Sequence, residues 1–187
     1  MKSRILAALA MGAMLFLPLA AVAATKAEKQ ADVRKMERET LARLYRASPG
    51  AKQAVERAAG YAVFSNFGMK ILVAGGGSGS GVAVDNASKK AVYMKMAEIQ
   101  AGLGIGIKKF RLVWVFESKQ ALDQFVNAGW EFGGQASVAA KAGDKGASFD
   151  GAMAVSPGVW LYQLTDDGLA AELTAKGTKY YKDGDLN

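Results

Sequence analysis

The stretch ILVAGGGSGSGVAVD, Ile71–Asp85, decides how the rest of the chain is read. Five of the seven residues from Gly75 to Gly81 are glycine. A Walker loop would end in G-K-[ST], because its lysine must reach the terminal phosphates. Here Gly81 is followed by Val82. A dinucleotide turn needs glycines at n, n+2 and n+5, and the frame from Gly77 and Gly79 arrives at Val82 instead. No helical pattern follows, so no helix N-terminus stands ready to hold a phosphate. What remains is a period of two: Gly75, Gly77, Gly79 and Gly81. Side chains alternate across a strand, so this is a strand with one bare face. The period returns in AGLGIGIKKF, with Gly102, Gly104 and Gly106 on one face and Leu103, Ile105 and Ile107 on the other. A bare face lets another element approach closely, or lets a sheet bend sharply. The expectation is a small, closed, highly curved sheet.

Around this centre the pattern is mixed. Thr25 to Ala47 is helical, with an apolar stripe of Val33, Met36, Leu41, Leu44 and Tyr45 amid mixed charges. Ser48–Pro49 reads as a cap and first residue of a second helix, which runs to about Ala59 and is stopped by Gly60. From Tyr61 the chain turns to β-branched and aromatic residues, and Asn86–Lys89 reads as a turn between two strands. Ser118 caps a third helix bearing Leu122, Phe125 and Val126. Short strands follow to the end, separated by turns and by the polar loop Lys141–Gly146. Successive strands without regular helix alternation predict an antiparallel sheet in an α+β fold: a small antiparallel β-barrel core with about three helices on its surface. The helical segment is 25–59 and the barrel 61–182.

The first 23 residues read differently. A basic start at Lys2 and Arg4, an apolar run from Ile5 to Ala20, and the small residues Ala21–Ala24 have the layout of a secretory signal peptide. The expected mature chain, 24–187, is a single domain. It is exported, periplasmic or secreted, and peripheral to a membrane. It carries no cysteine, so no disulfide framework and no lipidated cysteine is available. It carries no histidine, which removes His-based dyads and triads and the common zinc sites. The carboxylates Asp85, Glu98, Glu117, Glu131, Asp144, Asp150, Asp166 and Asp167 show no spacing that forces two together. No enzymatic activity, cofactor or metal is expected.

The formal charge is +7, and loss of Lys2 and Arg4 with the signal segment leaves it at +5. A basic exported chain prefers anionic partners. The basic residues that can meet a headgroup are Lys70; Lys89 and Lys90, which sit in a turn; Lys108, Lys109 and Arg111 after the second glycine strand; and Lys141 and Lys145 in the polar loop. Phe110, Trp114, Trp130 and Trp160 sit in strand patterns and are expected in the core.

Four segments in order, AAGYAVFSNFGMK, the glycine-rich strand, GIGIKKFRLVWVF and SKQALDQFVNAGWEFGGQASVAA, resemble the SYLF family of lipid-binding and actin-binding domains. The resemblance runs from about Glu39 to Tyr181. It implies a β-barrel with helices packed on its surface. It also implies binding of membrane lipids, phosphoinositides among them, and implies no catalysis. The expected partner is thus an anionic phospholipid or phosphoinositide membrane surface, bound by a monomer, with no nucleic-acid partner. The alternative is an envelope scaffold with a protein partner, in which lipid binding is incidental.

Overall fold

The computed structural model describes residues 24–71, 74–101, 106–128, 130–132, 149–166, 168–169 and 177–187. Residues 1–23, Gly102, Gly104, Lys141 and Lys145 lie outside them. Two helices open the fold, α1 (Lys26–Ala47) and α2 (Pro49–Arg57). Four long strands follow, β1 (Gly60–Ile71), β2 (Ala74–Asp85), β3 (Ala91–Ala101) and β4 (Gly106–Phe116). Then come α3 (Lys119–Ala128) and the short strands β5 (Trp130–Phe132), β6 (Met153–Ser156), β7 (Val159–Thr165), β8 (Gly168–Leu169) and β9 (Thr178–Lys182). All pairings are antiparallel, in the order β5-β9-β3-β2-β1-β4-β7-β6, with β8 beside β7. Among the described residues no ladder joins β5 to β6. The sheet is a half-barrel, and the fold is α+β as its pattern predicts.

The curl can be measured from ring contacts. Four inter-strand steps separate β9 from β4, about 19 Å if the sheet were flat. Yet the Trp114 and Tyr180 rings lie 5.3 Å apart. Phe64 of β1 and Tyr180 are 4.9 Å apart across three steps. Rings can meet across the concave face only if the strands between them project little. β2 meets that condition. Its concave positions are Gly77, Gly79 and Gly81, in register with Glu98, Met96 and Met94 on β3. A Cβ on Gly81 would lie 2.3 Å from Phe64 Cδ1, and one on Gly79 2.8 Å from Met96 Cγ. The bare face is thus the inside of the bend.

The concave side holds the main core: Phe64, Met94, Met96, Phe110, Leu112, Trp114, Phe116, Leu161 and Tyr180 under Leu122, Phe125 and Val126 of α3. Phe110, Trp114 and Trp160 are buried as expected; the Trp130 side chain lies outside the described residues. At one end the interior turns polar. Asn66 donates to the Glu98 carboxylate at 2.5 Å, and Gln163 and Thr178 are buried nearby on β7 and β9. On the convex side α1 and α2 cover Val63, Val113, Val115, Tyr162 and Leu164, and Val33 of α1 meets Val82, Val84 and Leu186.

Local signals explain most of the boundaries. Thr25 accepts from the Glu28 amide while the Glu28 carboxylate accepts from the Thr25 amide, a reciprocal cap that starts α1. Pro49 begins α2, but the Ser48 hydroxyl does not cap it; it donates to the Asp150 carbonyl at 2.9 Å. α2 ends at Arg57, before Gly60. Gly60 opens β1, where a Cβ would sit 2.5 Å from the Val84 carbonyl and 2.6 Å from Leu122 Cδ2. Its job is close packing against α3 rather than stopping a helix. The Asp85 carboxylate accepts from the amides of Ala87 and Ser88 and closes the β2–β3 turn. Those amides hold it below the ordinary carboxylate range.

Candidate functional site

α1 is held on the sheet by polar pins as well as by its apolar stripe. Glu37 is buried on the face that meets β1, accepts from the Tyr61 hydroxyl at 2.7 Å and pairs with Arg34 at 2.8 Å. Burial, reinforced by that hydrogen bond, pushes the Tyr61 hydroxyl well above its ordinary pKa. Further along the helix, Arg111 of β4 donates to Thr40 Oγ1 at 2.9 Å and lies 3.7 Å from the Glu39 carboxylate. Arg43 donates to the Thr165 carbonyl at 2.8 Å.

These last contacts frame a cleft of about 280 Å³ on the convex face. Register builds it. Ser65 of β1 pairs with Arg111, and Arg111 pairs with Leu164 of β7, so the three stand side by side. Lys109 is two residues before Arg111 and shares its face. Arg43 reaches in from α1, and Thr165 and Asp166 close the side beside β7. Three cations, Arg43, Lys109 and Arg111, therefore line one small cleft with two hydroxyls and a single carboxylate. Guanidinium and ammonium groups gathered this way suit a phosphate or carboxylate. Lys109 is exposed, whereas Arg111 is partly engaged in pinning α1.

The basic residues expected to meet a headgroup are not all brought together. Lys109 and Arg111 line the cleft. Lys70 and Lys108 occupy backbone positions at the same end of the β1–β4 ladder, where Lys70 pairs with Gly106 and Lys108 with Gly68. Lys89 and Lys90 are exposed in the β2–β3 turn, at the opposite end. That turn follows Asp85, which pairs with Gly60, ten residues from Lys70 along β1 and so about 33 Å away. Lys141 and Lys145 lie outside the described residues. Arg43 is the cleft residue the sequence hides: in a helix of alternating charges it reads as one more solvated arginine.

Among the described residues, no three His, Cys, Asp or Glu side chains are grouped to hold a metal. No described helix is long and apolar enough to cross a membrane.

Comparison with known proteins follows the same ground. The family model described as "Ysc84: Las17-binding protein actin regulator" matches residues 97–187, from the middle of β3 to the last residue. The protein named Beta cell expansion factor A, from Aeromonas veronii, is 34% identical over 164 residues, covering 87% of this chain and 60% of that protein. This chain therefore spans under two thirds of that relative's length. The family match, this relative and the curled antiparallel sheet agree with the four ordered segments: the chain belongs to the SYLF family of lipid- and actin-binding domains.

Proposed function

We propose that this chain binds anionic phospholipid headgroups, phosphoinositide-like or other acidic ones, peripherally and weakly, after export directed by its first 23 residues. The observation that carries the reading is the cleft lined by Arg43, Lys109 and Arg111. It runs from the middle of the β1–β4 ladder, at Ser65 and Arg111, toward the end that carries Lys70 and Lys108. Each cation near an anionic surface contributes on the order of 1 kcal/mol, so the three that line the cleft are enough for weak, reversible attachment. The attraction is screened within about 8 Å at physiological salt. It therefore acts only when this end touches the bilayer.

The test is flotation of the protein with vesicles of neutral phosphatidylcholine, of phosphatidylglycerol or cardiolipin, and of phosphoinositide. Binding is expected to the anionic vesicles alone and to disappear near 1 M salt, where screening shortens to about 3 Å. Equal binding to neutral vesicles, or none to any, overturns the reading. The second outcome favours the alternative, an envelope scaffold with a protein partner, because the matching family is described by its binding of a protein.

A further inference from the structure

An opening of about 640 Å³ lies toward the opposite end from the basic cleft, between α3 and the β2–β3 pair. Its floor is aliphatic: Ala83 and Val92 from the sheet, Leu122 and Val126 from α3. All four belong to or pack against the main core, so the opening is the mouth of the half-barrel interior. It persists for a packing reason. α3 is drawn tightly onto β1, where Gly60 leaves no room for a Cβ beside Leu122. Toward β2 and β3 the short side chains of Ala83 and Val92 do not fill the remaining space.

The rim is charged. Lys119 is balanced by Asp85 at 3.4 Å and by Asp123. Lys182 donates to Asn127 Oδ1 at 2.8 Å. The Lys90 ammonium has no partner among the described residues. The uncompensated charge at this mouth is therefore positive.

The floor restricts the occupant. It has no aromatic ring on which a flat ligand could stack. β2 is paired on both sides, and beyond the end of the β9 ladder at Met94 the Tyr93 amide and carbonyl of β3 are taken by Asn187 and Asp183, which blocks addition of a peptide strand beside Val92. We infer that this groove binds a single-chain anionic amphiphile, its alkyl chain on Ala83, Val92, Leu122 and Val126 and its anionic head beside Lys90 and Lys182. A volume within roughly 300–1,000 Å³, apolar walls and a few placed charges is the usual make-up of a small-ligand site. The inference does not rest on headgroup binding at the Arg43 cleft, because the two sites share no residue.

Calorimetric titration of the purified protein with monomeric octanoate, decanoate and dodecanoate, and with octan-1-ol as the uncharged control, tests it. One ligand per chain is expected, with affinity rising about fourfold per methylene, the factor for burying a CH₂. Octanol should bind several-fold more weakly than octanoate. Lys90→Glu should erase that preference, and Val92→Phe should fill the floor and abolish binding of all four. Circular dichroism checks that Val92→Phe stays folded; if it does not, Lys90→Glu decides. No dodecanoate binding to the folded protein, an affinity independent of chain length, several ligands per chain, or an octanoate preference that survives Lys90→Glu overturns the inference.

Discussion

Gly81→Val is expected to destabilise the fold by at least about 3 kcal/mol, at the upper end for overpacking. The nearest atoms to a Cβ at Gly81 are Phe64 Cδ1 at 2.3 Å and the Val63 carbonyl oxygen at 2.4 Å. The ring could turn aside only by leaving Phe125 and Tyr180. The carbonyl cannot move without disturbing β1, the strand that carries both of its ladders. For a chain of this length the loss corresponds to a fall in Tm of roughly 6–12 °C. Gly76→Ala, on the opposite face of the same strand, is the matched control. Its Cβ would meet nothing nearer than the Glu98 carbonyl at 3.5 Å, an ordinary contact, and stability should stay within about 0.5 kcal/mol. Thermal melts of the two variants decide the matter. Equal effects would mean that the bare face is not what allows the sheet to curl.

Phe125→Ala should cost about 3–5 kcal/mol. This α3 side chain is fully buried. Its ring centroid is 4.9 Å from Phe116, 5.3 Å from Tyr180, 5.5 Å from Trp114 and 6.1 Å from Phe64. It therefore joins β1, β4 and β9, strands that no single ladder connects. Removing it leaves a cavity that a curled sheet cannot close without uncurling. Urea denaturation followed by tryptophan fluorescence should show the lower midpoint, and near-ultraviolet dichroism should weaken as Trp114 loses its neighbours. A loss under about 1 kcal/mol would place the centre of the core elsewhere.

The sequence shows the curl through Gly77, Gly79 and Gly81, because period two on a strand has one geometric meaning. The helices and the Asn86–Lys89 turn are equally legible from their caps, stripe and turn residues. Burial of Glu37 is not. A carboxylate in a charged helix reads as solvated until Tyr61 is seen opposite it. Nor is the sorting of the basic residues legible. Lys89 and Lys109 look alike in sequence, and only the antiparallel register sends them to opposite ends of the sheet. Arg43 joins Lys109 and Arg111 through a contact between residues 122 positions apart, the hydrogen bond to the Thr165 carbonyl. The local pattern carries no trace of such a contact. Ser48 fails as a cap for a related reason: its hydroxyl goes to Asp150, far along the chain.

The central claim is that one end of the half-barrel meets the membrane. Flotation on phosphatidylglycerol vesicles of two doubly reversed variants tests it most directly. Arg43→Glu with Lys109→Glu alters the cleft, and Lys89→Glu with Lys90→Glu alters the far turn. The account predicts that the first pair lowers vesicle binding at least about tenfold while the second stays within about twofold, since the far turn lies seven residues along β1 from the Lys109 position, about 23 Å, beyond the screening length. Equal losses in the two variants, or a loss confined to the Lys89 and Lys90 pair, would contradict it.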